Sequence, residues 1–348
     1  MSRAPRVKGH YLFLPGIVLT VCNACLPIAG RAQSPEFLIR EFASAQIKKG
    51  VRTIGMGGDG ATSGNYALVW RDSSTALIDA GNSRYSNGNT FSFTAVGVTL
   101  PRFKNGFVLY AMALSQTAGN VSATLKTPGP GNAAGGYRGD GNNQAVFIKA
   151  AMPMGKGFSI GLLLSYEVSQ FDLQNDLTST DNIRYHSRWS PSGGIGLTWQ
   201  PLKNLLLGCR AVFSNDREYR LDKGGTSAGM NHSQEYRAGI AVVPWPGALL
   251  DAGGNIRHRS NSLLNTHSTA IEPNLGIEQN IWKRHFAVRA GLDETSPTAG
   301  ISLRFSPVVM DIAYVHNLAL ARLGTVFGDS GNSIIATFII DFGRYIRK

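Results

Sequence analysis

The sequence predicts an all-β fold, a transmembrane antiparallel β-barrel of about 14 strands with an N-terminal hatch segment. Three observations predict it. The chain opens with an export signal, apolar and polar residues alternate with a period of two from residue 89 onward, and short turns alternate with longer polar segments. Successive side chains of a strand point to opposite faces, so this alternation gives each strand one greasy face and one polar or small face. After the leader no segment is apolar enough for a transmembrane helix, and the mean hydropathy is near zero at −0.07. Charged residues are only 16% of the chain and glycines number 41, a composition that argues against a water-soluble helical globule. A chain of average hydropathy can still live in a bilayer when its apolar and polar residues alternate.

The leader comes first. Arg3, Arg6, Lys8 and His10 give a positive start ahead of an apolar stretch from Tyr11 to about Ile28. Gly30-Arg31-Ala32 then puts small residues at the −3 and −1 positions of a cleavage site, so residues 1–32 read as a signal peptide and the mature chain starts at Gln33. A membrane anchor is the competing reading. Pro15, Gly16 and Asn23 interrupt the run and leave it short of the ~20 apolar residues a spanning helix needs. Leu19-Thr20-Val21-Cys22 only faintly resembles a lipoprotein cleavage box, because Val21 is bulky where a small residue is expected. Cys22 and Cys25 would leave with the leader. The remaining Cys209 can form neither an internal disulfide nor a thiolate metal cluster. A closed hydrogen-bond ladder suits an exported protein that has no disulfide to lean on.

Residues 33–74 come next, Gly-rich and weakly periodic. A segment of this size before a barrel plugs the lumen, hangs in the periplasm or is partly disordered.

Residues 75–342 are expected to form the barrel, with a tail at 343–348. Phe286, Val288, Ala290 and Leu292 oppose His285, Ala287, Arg289 and Gly291. Ala299, Ile301, Leu303 and Phe305 oppose Gly300, Ser302, Arg304 and Ser306, and Met310, Ile312 and Tyr314 oppose Val309, Asp311 and Ala313. Earlier runs agree: Ile160, Leu162, Leu164 and Tyr166 face away from Ser159, Gly161, Ser165 and Glu167, with Leu163 as an exception. A soluble β-sandwich also alternates, so the connections must discriminate. Tight turns are expected at 103–106, 154–157, 201–204, 244–247 and 282–284, and long polar loops near 117–143, 171–190, 215–233, 259–269 and 318–331. Short turns at one end and long loops at the other are the outer-membrane pattern. About thirteen strands fit between 89 and 342. A further one near 75–86 would pair through Asn87-Gly88, a favoured hairpin turn. The even total returns both chain ends to one side.

The polar face carries Lys149, Glu167, Arg210, Glu235, Arg237, Asp251, Arg257, Glu272, Glu278, Arg289, Arg304, Asp311 and Asp341. A basic residue facing lipid at the midplane would cost ~2–4 kcal/mol, so this face must be the lumen. The mixed signs predict ion pairs around a plug. A sharper expectation is that Arg237, Arg289 or Arg304 meets the carboxylate of an amphipathic ligand.

Gly50-Val51-Arg52-Thr53-Ile54-Gly55-Met56-Gly57-Gly58-Asp59-Gly60 resembles the opening of the FadL/OmpP1/TodX superfamily, which includes long-chain fatty-acid transporters and the related PorV-like barrels. In that group a "G-x-R-x-x-G-M-G-G-x-G" segment forms a hatch inside a fourteen-stranded barrel. The stretch Asn65 to Trp70 resembles the family's lead into an Asn-Pro-Ala triplet, which Arg71-Asp72-Ser73 replaces here. Residues 286–292, 298–303 and 310–314 resemble the closing strands, particularly those of the PorV-like branch. The resemblance covers both ends of the mature chain, and the middle agrees in strand rhythm. It implies Gly55, Gly57, Gly58 and Gly60 in a hatch. It also implies an outer membrane of a Gram-negative bacterium and passive uptake of hydrophobic or amphipathic small molecules such as long-chain fatty acids, with no covalent catalysis. The PorV-like strands imply an alternative: a non-transporting barrel that shuttles or docks components of a secretion system.

Other motifs favour structural readings. Gly55 to Gly60 also satisfies G-x-G-x-x-G, but a dinucleotide loop must lie between a strand and an amphipathic helix, and none follows. No cofactor is expected, and the glycines instead permit close backbone packing in a hatch. Gly157-Phe158-Ser159-Ile160-Gly161 matches a nucleophile elbow but opens an alternating strand instead of a strand-to-helix turn. A lipid hydrolase would need a Ser–His pair at one rim, which no spacing predicts. His10, His186, His232, His258, His267, His285 and His316 show no metal-ligand spacing, so no metal is expected. The net charge of +12 is spread over loops and turns with no compact basic run among aromatics. It fits loops facing the phosphates of lipopolysaccharide better than nucleic acid. Outer-membrane lipid and either a hydrophobic ligand or secretion-system proteins are the expected partners.

Overall fold

The computed structural model describes residues 56, 75–85, 90–101, 103–126, 134–175, 183–222, 226–261, 266–282, 285–293, 296–316 and 331–341. The signal peptide, the hatch glycines Gly55, Gly57, Gly58 and Gly60, the Asn87-Gly88 turn and the 343–348 tail lie outside these residues, as does the side chain of Asp341. The first strands are β1 (Thr75–Tyr85), β2 (Thr90–Thr99), β3 (Val108–Lys126), β4 (Ala134–Gly155) and β5 (Phe158–Asn175). Next come β6 (Ile183–Ser187), β7 (Ser190–Leu202), β8 (Leu205–Asp222), β9 (Thr226–Val242) and β10 (Ala248–Asn261). The chain finishes with β11 (Thr266–Ile281), β12 (Phe286–Asp293), β13 (Ser296–Phe305), β14 (Val308–Val315) and β15 (Gly331–Asp341).

Antiparallel pairing runs from strand to strand along the chain, and β1 pairs with β15 from Thr75↔Asp341 to Tyr85↔Gly331 without a register shift. The sheet is therefore a closed barrel, which leaves no edge with unpaired backbone groups. Both β6 and β7 run between β5 and β8, β6 before Arg188-Trp189 and β7 after it. They are two parts of one interrupted stave, so the fifteen segments build fourteen staves. That even number brings Thr75 and Asp341 to the same end.

Tight turns occupy that end, as the sequence predicts. At 155–157 the backbone takes three successive positive φ values: 88° at Gly155, 49° at Lys156 and 81° at Gly157. A Cβ at Gly157 would stand 2.6 Å from the carbonyl oxygen of Gln200, so space as well as φ demands glycine there.

At the opposite end the expected long loops are mostly strand, which corrects the sequence reading. β3 and β4 continue through most of 117–143, and β5 and β6 through much of 171–190. Likewise β8 and β9 fill most of 215–233, and β10 and β11 most of 259–269. Beyond the apolar band both faces of a hairpin are polar, so the period-two signal disappears. The backbone groups still need partners, and the ladder continues to supply them. The result is an uneven wall, 22 residues tall at β4 and 8 at β12 and β14.

Burial settles which face is which. Ile271 (75% exposed), Val96 (56%) and Leu164 (55%) face outward, whereas Glu278 (2%) and Arg289 (4%) face inward. A soluble sandwich would bury its apolar side under a second layer, but a single closed sheet leaves this one outside. Aromatics bracket the outer band. Near the tight turns Phe158 stacks on Trp199 at 5.4 Å, with Trp245, Trp282 and Phe305 exposed at the same end. Toward the other rim Tyr166 stacks on Trp189 at 5.6 Å and Phe213 meets Tyr236 edge-on at 5.9 Å. From Phe158 to Tyr166 along β5 is roughly 26 Å of strand at ~3.3 Å per residue. That is the size class of the apolar belt in outer-membrane barrels, ~25 Å.

Candidate functional site

The alternation that makes the outside greasy directs every second side chain of each stave into the lumen, where two unlike walls result. On β8 to β14 the wall is charged. Glu235 accepts from Arg237 (2.6 Å), Arg257 (3.2 Å) and Arg210 (3.3 Å). Arg257 also reaches Glu272 at 2.9 Å, and Glu272 accepts from the amide of Asn255 at 2.7 Å. Register explains the need for this arrangement. Arg210 and Arg237 are direct cross-strand partners, a repulsive pair on its own, and Glu235 serves both.

The second network is more deeply buried. Arg289 donates to Glu278 (2.7 Å), to Asp311 (3.0 Å) and to the Ser302 hydroxyl (2.6 Å), and its side chain has no exposure. Ser302 also donates to Asp311. Glu278 lies directly across from Arg289, and Asp311 across from Ser302, so the register of β11 to β14 assembles the cluster. At the tight-turn end Arg304 donates to the side-chain oxygen of Asn280 at 2.9 Å. Of the three candidate ligand-binding arginines, Arg237 and Arg289 thus sit in separate ion-pair networks and Arg304 on an amide. The structure does not bring them together on one point.

On β3 to β7 the wall is nearly uncharged. The side chains of Met112, Leu114, Phe147 and Leu163 turn inward and are buried, Met112 directly across from Phe147. Beside them runs a row of amides and hydroxyls. Asn143 donates to Gln116 (3.2 Å), Ser169 to Asn143 (3.1 Å), Ser165 to Glu167 (3.1 Å), and the Ser169 backbone N–H to Ser187 (2.7 Å). The sequence reading missed this apolar patch, although it noted Leu163 as an exception to the alternation on β5. Ser159, from the nucleophile-elbow match, is a buried residue at the start of β5, opposite Pro153 and Thr198. Among the described residues no three His, Cys, Asp or Glu side chains are grouped so that they could hold a metal ion.

Met56, in the middle of the hatch motif, is 3% exposed and lies against the inner wall at Gly276. A Cβ on Gly276 would stand 1.9 Å from the Met56 carbonyl oxygen, so only glycine admits this contact. Gly291 is the partner of Gly276 on β12 and leaves the hollow open on that side.

No family model matches the sequence, and no curated protein does. Solved structures do match its fold. The toluene transporter TodX of Pseudomonas putida aligns with a TM-score of 0.57 at 10% identity, over 84% of this chain and 98% of TodX. A FadL homologue of Pseudomonas aeruginosa aligns at 0.55 and 11% identity, over 90% of this chain and 99% of that one. The monoaromatic hydrocarbon channel CymD aligns at 0.56 and 14%, over 84% and 96%. The closed antiparallel wall of fourteen staves, apolar outside, thus has the same barrel fold as TodX, CymD and the FadL homologue.

Proposed function

We propose that this chain is an outer-membrane channel for passive uptake of hydrophobic small molecules, acting by diffusion through the lumen and without covalent catalysis. The observation that carries the reading is the inward apolar patch of Met112, Leu114, Phe147 and Leu163. A water-filled pore would be polar at those positions. The likeness in fold to a toluene transporter and a monoaromatic hydrocarbon channel supports the same reading. Uncharged ligands fit the lumen better than long-chain fatty acids. Arg237 and Arg289 are already matched by carboxylates, and an incoming acid would have to displace a buried ion-pair partner.

A deletion strain tests the proposal. Uptake of labelled toluene should fall in the deletion strain and return with the wild-type gene, with a smaller change for labelled oleate. Normal uptake of both, together with co-purification of secretion proteins on the tagged barrel, would replace transport by the docking role.

A further inference from the structure

Three histidines that the sequence leaves scattered come together on the outer surface. On β9, β10 and β11 the residues sharing a face with Tyr236, Ile256 and Ile271 are His232 and Gln234, His258, and His267 and Thr269. They line a cavity of about 280 Å³. His258 meets the Thr269 hydroxyl at 2.9 Å, and the Gln234 amide meets His232 Nε2 at 3.0 Å. Tyr236 donates to Gln234 at 3.2 Å and packs edge-on to His258, ring centroids 6.3 Å apart. This places the cavity immediately beyond the Phe213–Tyr236 part of the aromatic belt, on the side away from the chain ends.

From this geometry we infer that the cavity is a docking site for the phosphate of an outer-leaflet lipid headgroup. The inference rests on the outer-membrane reading, which makes this rim the extracellular one. Interfacial aromatics mark headgroup height in such barrels, and beneath the cavity the same staves present Ile240, Ile256, Ile271 and Leu275 to acyl chains. A lipid lying against this wall therefore has its phosphate level with the histidines. The lining offers donors: imidazole N–H groups in either protonation state, the Gln234 amide and the Thr269 and Ser260 hydroxyls. No carboxylate lines it, whereas the lumen wall behind it is rich in them. A recess at a lipid interface that offers these donors and no carboxylate is complementary to an anion.

Native mass spectrometry of the purified full-length barrel, with bis-phosphorylated lipid A as probe, tests the site. The wild type should retain one such lipid, and His258→Ala/His267→Ala should lose about tenfold in affinity. His232→Asn, which keeps a donor, should lose less. Heat-modified migration on a gel verifies that each variant is folded. Dephosphorylated lipid A should bind wild type and variant equally. Equal retention of lipid A by wild type and variant would overturn the proposal, as would tight binding of the dephosphorylated probe to the wild type alone. Displacement of lipid A by millimolar inorganic phosphate would make the recess a free-anion site and overturn it too. A wild-type chain that is soluble without detergent would instead remove the outer-membrane reading together with this one.

Discussion

Replacing Gly276 by alanine is the smallest change that should unseat Met56. The new Cβ would fall 1.9 Å from the Met56 carbonyl oxygen, 2.7 Å from its carbonyl carbon and 3.0 Å from its Cβ. Ordinary heavy-atom contacts lie near 3.5–4.0 Å, so the two must separate by roughly 1.5 Å. The wall is the stiffer partner, because Gly276 is fixed in ladders to Asp251 and Gly291 on both sides. Overpacking of this kind costs about 1–3 kcal/mol, and full burial of a methionine side chain contributes about 1.5–3 kcal/mol. The two are of one size, so the seated state should lose most of its advantage. Methionine oxidation by hydrogen peroxide, read by mass spectrometry, reports the outcome without altering Met56. In the wild type Met56 should stay protected while Met154 (60% exposed) and Met230 (49% exposed) oxidise. In Gly276→Ala, Met56 should oxidise at a rate approaching theirs. Gly254→Ala is the control, since a Cβ there meets nothing nearer than 4.0 Å. Continued protection of Met56 in a folded Gly276→Ala barrel would refute the reasoning.

Two further predictions concern the walls themselves. Arg289→Met leaves Glu278 and Asp311 buried without their cation, and breaking such a pair costs about 3–5 kcal/mol; urea unfolding in detergent should show this loss, and Arg289→Met combined with Glu278→Leu and Asp311→Leu should recover most of it. On the outer face Leu162→Arg, midway between Phe158 and Tyr166, puts a guanidinium against acyl chains and should destabilise the inserted barrel by ~2–4 kcal/mol, whereas Leu202→Arg at the tight-turn rim should cost ~1 kcal/mol or less. Equal effects of these two substitutions on refolding into bilayers would show that the exposed apolar band does not face lipid.

Much of the fold is legible from local pattern because strand geometry is local. The period of two at 160–167 or 286–292 is imposed by the pleat, so it announces a strand and its two faces before any partner is known. Turn residues are equally local, as Gly155 and Gly157 show. The extent of β3, β4, β8 and β9 was less legible. Beyond the apolar band their ladders rest on backbone hydrogen bonds, which carry no side-chain signature.

The sequence by itself determined that the chain is made of staves, which side of each stave is greasy, and that its charges share the other side. Only the tertiary structure decided that β1 closes on β15, that Arg289 is shared by Glu278 and Asp311, and that Met112, Leu114, Phe147 and Leu163 form one patch. It also gathered His232, His258 and His267 around one recess. The reason is register. A slip of one residue between two staves would leave each stave's own pattern unchanged, yet every cross-strand partner would be different.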